Sequence, residues 1–343
     1  MQKHILSGKT ASEIKELVSE LGMPKFTGAQ IASWLYEKRV SGFDEMTNIS
    51  KANREKLVSL CETGLTPPEE ELVSTDGTVK YLFRLSDGLS VETVFIPDKE
   101  RATLCVSSQV GCKMNCLFCM TGKQGFQRNL TVAEIMNQIL SVPQSMELTN
   151  IVFMGMGEPM DNLDAVLKAT DIITADWGFA WSPKRITVST VGVKKGLQRF
   201  LAESRCQLAV SLHSPDGRRG GLVPAERSFP AAEMIEMIRE YDFSHQRRLS
   251  FEYIMFAGEN DSAADADKLA ALLRGLDCRV NIIRYHSIPG VPLTSSENRT
   301  MVAFRDALNA KGITATIRSS RGEDILAACG MLSSQKNNPA EQE

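Results

Sequence analysis

The apolar positions of the first sixty residues fall at helical spacing. Ile14, Leu17, Val18 and Leu21 lie on one face of a helix that Thr10 or Ser12 can cap. A second pattern starts at Gly28 and carries Ile31, Trp34 and Leu35; a third covers Ser50 to Leu60. Pro67-Pro68 cannot continue a helix and closes this block. The period then shortens to two. Residues 79–85 (Val-Lys-Tyr-Leu-Phe-Arg-Leu) and 89–96 (Leu-Ser-Val-Glu-Thr-Val-Phe-Ile) read as strands, with Asp76-Gly77 and Asp87-Gly88 as hairpin turns.

From about Ala102, short apolar runs alternate with helical stretches. Strands are expected at Thr103–Ser107, Asn150–Met154, Arg185–Thr190, Gln207–Leu212, Ser250–Met255, Arg279–Tyr285 and Thr314–Ile317. Helical segments lie between them, among them Thr131–Leu140, Leu163–Thr174 and Ala231–Tyr241. Repeated strand–helix units predict an α/β fold with a parallel sheet, curled into an incomplete barrel. In such sheets ligands bind beyond the carboxyl ends of the strands. The expected division is a helical module at 1–66, a β extension at 67–101, the barrel at 102–331 and a disordered polar tail at 332–343.

At 343 residues the chain is long enough for about two domains and a large core. No apolar run is long enough to span a bilayer, and Met1-Gln2-Lys3-His4 does not open a signal peptide. Free thiols fit a reducing compartment, so a cytoplasmic protein without membrane attachment is expected. The net charge of −3 argues against a protein that coats nucleic acid indiscriminately. It leaves room for a local basic surface on one folded RNA. Lys38, Arg39, Lys184, Arg185, Arg218, Arg219, Arg247 and Arg248 are candidates for gripping phosphates.

Eight cysteines are too few for a disulfide scaffold, and three of them are grouped. Cys112, Cys116 and Cys119 stand in Gly-Cys-Lys-Met-Asn-Cys-Leu-Phe-Cys, just past the first barrel strand. Three thiolates on one loop can hold three irons of a four-iron, four-sulfur cluster, leaving the fourth iron open to a small molecule. The alternative is three quarters of a zinc site, although no second Cys-x2-Cys pair or Cys/His cluster supplies the rest. Gly111 and Gly122 bracket the loop and let it fold tightly.

Residues 153–159 read Phe-Met-Gly-Met-Gly-Glu-Pro. A dinucleotide fingerprint would need glycine where Met160 stands, so that reading fails. The better one is a backbone in close approach to a ligand at Gly157, with Glu158 accepting from an ammonium group; a plain strand-ending turn is the other. Ser189, Ser211, Leu212, His213 and Asn281 fall near strand ends. Their polar groups suit the carboxylate, ribose and base of a nucleoside-like ligand, or are satisfied structural groups. Cys105 on the first strand and Cys329 after the last are either a resolving and a nucleophilic thiol or two inert cysteines.

Together these motifs resemble the radical S-adenosylmethionine superfamily, and within it the RlmN branch of the RlmN/Cfr family of RNA adenine methyltransferases. The resemblance rests on Cys105 to Cys112, Met154 to Pro159, Ser211-Leu212-His213, and Arg321 to Asp324 with Ala328-Cys329-Gly330. It implies a partial (β/α)6-type barrel behind an RNA-binding accessory module. Cys112, Cys116 and Cys119 would hold one [4Fe-4S] cluster. Gly157, Glu158, Ser189, Ser211, Leu212, His213 and Asn281 would line the S-adenosylmethionine pocket.

The implied chemistry uses two S-adenosylmethionine molecules per turnover. Cys329 would take a methyl group from the first, and the second would be cleaved to a 5′-deoxyadenosyl radical that activates the S-methyl group. Glu92 would accept a proton, and Cys105 would attack the sulfur of Cys329 to release methylated RNA and leave a disulfide. Implied partners are 23S ribosomal RNA, modified at adenine C2 in its peptidyl transferase region, and transfer RNA, modified at an anticodon-loop adenosine. A one-electron donor such as flavodoxin or ferredoxin is also implied, and a monomer is expected. C8 methylation and a non-catalytic iron–sulfur RNA-assembly factor are the alternatives. Ala225 and Arg284-Tyr285-His286 depart from some relatives and bear on substrate contacts.

Overall fold

The computed structural model describes residues 3–243 and 248–333. Helix α1 (Ala11–Glu20) begins at Thr10, whose hydroxyl accepts from the Glu13 amide while the Glu13 carboxylate accepts from the Thr10 amide. Helix α2 (Phe26–Ala32) runs on into a π turn, and α3 (Lys51–Leu60) is capped by Ser50. A short parallel pair, β1 (His4–Ile5) and β2 (Cys61–Glu62), ties the ends of this helical module together.

The module shares one apolar core with the rest of the chain. Ile14, Val18, Ile31, Leu35 and Leu57 belong to the same buried cluster as Ile135, Ile151 and Phe153. Close approach explains Gly8, where a Cβ would lie 2.6 Å from the Ala133 nitrogen.

Strands β3 (Glu70–Val73), β4 (Val79–Arg84), β5 (Ser90–Asp98) and β6 (Arg101–Cys105) form an antiparallel run. The expected strand pair is therefore part of the main sheet, with Val94 opposite Cys105. After β6 the small pair β7 (Gln109–Val110) and β8 (Arg128–Asn129) brackets the cysteine loop and its short helix α4 (Met120–Lys123).

The barrel strands follow as β9 (Asn150–Phe153), β10 (Ile186–Thr190), β11 (Gln207–Ser211), β12 (Leu249–Met255), β13 (Cys278–Arg284) and β14 (Thr314–Ile317). Each pairs parallel with its neighbour, starting from β6 beside β9. The sheet order is β14-β13-β12-β11-β10-β9-β6-β5-β4-β3, so the barrel stays open. Six parallel strands carry the expected barrel, and β14 extends it as a seventh. Helices α5 (Val132–Leu140), α6 (Leu163–Thr174), α7 (Lys194–Glu203), α8 (Arg219–Leu222), α9 (Ala231–Arg239), α10 (Ala263–Leu272) and α11 (Asn298–Ala310) make the crossovers.

A second apolar cluster containing Cys116, Phe118, Val223, Ile254, Phe256 and Tyr285 seats the cysteine loop on the carboxyl ends of the strands. Of the expected tail, Leu332 is buried, and its carbonyl accepts from the Thr121 hydroxyl at 2.6 Å. Residues 334–343 lie outside the described residues.

Candidate active site

The cysteine loop leaves β6 at the carboxyl end of the sheet and is shaped by close backbone contacts. At Gly111 a Cβ would lie 1.6 Å from the Gly125 carbonyl oxygen, and at Gly122 it would press on Asn115 at 3.1 Å. Glycine is required at the first position. The Leu117 amide donates to the Leu222 carbonyl and the Met120 amide to the Gly330 carbonyl, 2.9 and 2.8 Å.

Burial pushes the Cys112 thiol up to about 12 and the Cys116 thiol well above its usual value, and neighbouring cysteines add to both shifts. Among the described residues no three His, Cys, Asp or Glu converge as ligands of one metal ion do. A multinuclear cluster asks for wider spacing, since each thiolate sits on a different iron. The donor set, three soft sulfurs within electrostatic reach of one another on a partly buried loop, fits a four-iron cluster. Loading it would displace the thiol protons.

The Gly-Met-Gly-Glu turn after β9 packs on residues 106–109, which lead from β6 into the cysteine loop. A Cβ on Gly155 would lie 2.7 Å from the Ser107 hydroxyl. Gly157 has φ +99°, and a Cβ there would lie 2.5 Å from that of Gln109. The close approach expected at Gly157 is thus made to residue 109 of the chain itself. The Glu158 amide donates to the Gln109 side chain at 2.8 Å. The Glu158 carboxylate accepts from the Met160 and Val191 amides, 3.0 and 2.9 Å. Burial still raises its pKa to about 7, against those hydrogen bonds. A buried carboxylate so poised suits a cationic partner.

His213 has φ +56° and is buried, with its ring edge-on to Phe118 at 4.7 Å. Its Nδ1 accepts from the Ile254 amide at 3.1 Å, which leaves the proton of the neutral ring on Nε2. Burial, aided by the Arg219 charge, lowers its pKa to about 3. Ser189 is buried on β10, and Leu212 is buried with its amide bonded to the Glu252 carbonyl. The Ser211 carbonyl accepts from Arg219. The Asn281 amide donates to Glu252 at 2.8 Å and its oxygen accepts from Thr316 at 3.2 Å.

Cys105 is buried and its thiol is pushed up to about 12 by burial and then by the charge of Cys329. Cys329 is exposed, yet enough protein surrounds it that desolvation raises its thiol, with Glu252 and Cys119 adding to the rise. The Gly330 carbonyl, one residue past Cys329, accepts from the Met120 amide, one residue past Cys119, at 2.8 Å, which sets Cys329 beside the cysteine loop, and Cys105 lies within electrostatic reach of it. All eight cysteines are free thiols here. Glu92 is buried on β5; its carboxylate pairs with Lys80 at 3.0 Å and accepts from the Ser333 amide at 2.9 Å. Burial raises its pKa, opposed by Lys80.

Glu252 is not among the residues expected at the site, and Arg219 stands elsewhere than expected. Glu252 is a carboxylate buried within the apolar strand β12, which is itself a signal of function or strain. Arg219, expected at an RNA surface, is fully buried. It donates to the Val191, Ser211 and Leu212 carbonyls and to the Glu226 carboxylate, so it ties the ends of β10 and β11 together. Lys184 and Arg185 are exposed but precede β10, at the opposite end of the sheet from the cysteine loop. Arg39 is half-buried and stacks on Phe179, where burial lowers its pKa to about 10. Arg247 lies outside the described residues.

An open parallel barrel with three cysteines on the loop after its first parallel strand defines a class, the radical S-adenosylmethionine enzymes. Residues 106–270 match the radical SAM superfamily, and residues 5–63 match the ribosomal RNA large subunit methyltransferase N-terminal domain. A probable dual-specificity RNA methyltransferase RlmN of Bacteroides fragilis is 59% identical over 337 residues, 98% of each chain. The dual-specificity RNA methyltransferase RlmN of Syntrophus aciditrophicus is 43% identical over 328 residues, 94% of each. The crystal structure of a radical SAM methyltransferase from Sphaerobacter thermophilus superposes with a TM-score of 0.90 at 41% identity, covering 96% of this chain and 99% of that one. The chain belongs to the RlmN family of radical S-adenosylmethionine RNA methyltransferases. S-adenosylmethionine and a [4Fe-4S] cluster are the cofactors of that superfamily.

Proposed function

We propose that this protein methylates C2 of adenosine in 23S ribosomal RNA, in the peptidyl transferase region, and in the anticodon loop of transfer RNA. The observation that carries this reading is the neighbourhood of Cys105, Cys329 and the cysteine loop. Adenine C2 is electron-poor, so direct attack on a sulfonium methyl group fails there, and a carrier thiol beside a redox centre answers that difficulty.

Cys112, Cys116 and Cys119 would hold the cluster, which when bound would supply one electron for cleavage of S-adenosylmethionine. Glu158 accepts from the amino group of that cofactor. Gly157, Ser189, Ser211, Leu212, His213 and Asn281 line its pocket. Cys329 carries the methyl carbon between one molecule of S-adenosylmethionine and the base, so two are used per turnover. The S-methyl group of Cys329 would give a hydrogen atom to the 5′-deoxyadenosyl radical and its carbon would bond to C2; the ring would then return one electron to the redox centre and lose one proton, which Glu92 takes up. Cys105 then bonds to the sulfur of Cys329 as the S–C bond breaks, and the electron pair leaves with the carbon, which takes a proton. The disulfide is reduced before the next turnover. A small redox protein such as flavodoxin or ferredoxin supplies the electron, and the enzyme works as a cytoplasmic monomer.

The test is anaerobic reconstitution with iron and sulfide, then nucleoside mass spectrometry of treated ribosomal and transfer RNA. 2-methyladenosine is the expected product in both. 8-methyladenosine would move the chemistry to the other ring carbon. A reduced protein that never cleaves S-adenosylmethionine would reduce it to an RNA-binding assembly factor.

A further inference from the structure

The segment bearing Cys329 is held by the antiparallel extension, by the cysteine loop and, at Glu323, by His286 just past β13, whose Nδ1 lies 3.1 Å from the Glu323 carboxylate. At its start, the Gly322 amide donates to Asp76 at 3.1 Å, and Asp324 accepts from Ser74 and the Thr75 amide, 2.5 and 3.1 Å. Three residues before the thiol, the Leu326 carbonyl accepts from Lys80 Nζ at 3.4 Å. One residue after it, the Gly330 carbonyl accepts from the Met120 amide at 2.8 Å. Four residues after it, the Ser333 amide donates to Glu92 Oε2 at 2.9 Å.

Lys80 and Glu92 are themselves an ion pair, 3.0 Å apart and both buried. One pair thus grips the segment on both sides of the thiol. A buried lysine is costly to keep and calls for a reason. Its reach to the Leu326 carbonyl supplies one.

We infer that Lys80 is a positioning residue that, with Glu92, fixes the Cys329 segment at Leu326 and Ser333 and so aims the thiol. The inference rests on the carrier role of Cys329 for its consequence in catalysis, but not for its structural content. It also gives Glu92 a second task. A proton arriving on its carboxylate neutralises the acceptor at Ser333 and removes the partner of Lys80. Proton uptake at that step would loosen the segment, so that the sulfur of Cys329, still bonded to the RNA carbon, comes within reach of Cys105.

The test uses the cluster-loaded full chain and its Lys80→Met, Lys80→Arg and Glu92→Gln variants. Amide hydrogen exchange over 323–333 and the alkylation rate of Cys329 are read beside RNA methylation. Lys80→Met should speed exchange at Leu326–Ser333 and alkylation by about tenfold or more, the loss expected for charge-assisted contacts. It should leave exchange in the parallel strands unchanged. Lys80→Arg should restore most of the protection, and kcat should fall in Lys80→Met with little change in KM for RNA. Wild-type exchange in a folded Lys80→Met protein would overturn the inference. If Lys80→Met does not fold, Glu92→Gln decides: it must loosen the Ser333 end, and unchanged exchange there overturns the inference equally. A wild-type protein that methylates no RNA would refute the carrier reading while leaving the exchange pattern to judge the tether.

Discussion

Cys105 ends the first parallel strand and Cys329 follows the last, yet the charge of Cys329 raises the thiol of Cys105. The open barrel brings the two ends of its sequence to one place. A pair so disposed, one buried and one exposed, predicts an order of events. Cys329→Ala should abolish methylation and leave iron and sulfide content intact. Cys105→Ala should trap a covalent protein–RNA species, visible on a denaturing gel. Normal product release from that variant would remove Cys105 from the scheme.

The Glu158 carboxylate, raised to about 7 by burial, should couple cofactor binding to pH. The ammonium of S-adenosylmethionine favours the ionised carboxylate, so binding expels a proton below that pKa. Affinity of the cluster-loaded protein should weaken about tenfold per unit as pH falls below 7. Calorimetry across pH checks this. Glu158→Gln should bind weakly at every pH and lose the slope.

His213 titrates in the opposite sense, as a base kept neutral. Its pKa is about 3 folded against 6.5 for the free side chain. The unfolded chain therefore binds the extra proton first as pH drops. Its contribution is fully present above pH 6.5 and is lost as pH falls toward 3, about 5 kcal/mol in the limit. Denaturant melts of wild type and His213→Gln over that window should show a shallower acid loss in the variant.

Arg219 should behave as a structural ion. Its guanidinium has no exposure and is bonded to three carbonyls and Glu226. Arg219→Met should cost about 3–5 kcal/mol of stability, because Glu226 and the carbonyls lose their donor. RNA affinity of the protein that remains folded should be unchanged. A variant of normal melting temperature and weakened RNA binding would return Arg219 to the surface role that its charge suggests.

Local features of the chain were legible in advance. Helix spacing around Ile14 and Leu17, the alternation at 79–85 and the apolar runs of the barrel strands each depend on near neighbours, and each forms the element expected. The three cysteines were legible for the same reason, since one short loop carries them all. Arg219 was misread because a charged residue after a strand usually meets water. Nothing in its neighbourhood along the chain announces the carbonyls that enclose it.

The sequence by itself determined the alternation of strands and helices, the loop that holds three thiols and the family to which the chain belongs. Those follow from side-chain period and local spacing, which act over a few residues. Only the tertiary structure decided that Cys329 comes within electrostatic reach of Cys105, that Lys80 and Glu92 bond the Cys329 segment at Leu326 and Ser333, and that Asn281 is bonded to Glu252. These contacts join residues far apart in the chain. They exist because parallel pairing sets all the strand ends side by side and the antiparallel extension continues the same sheet.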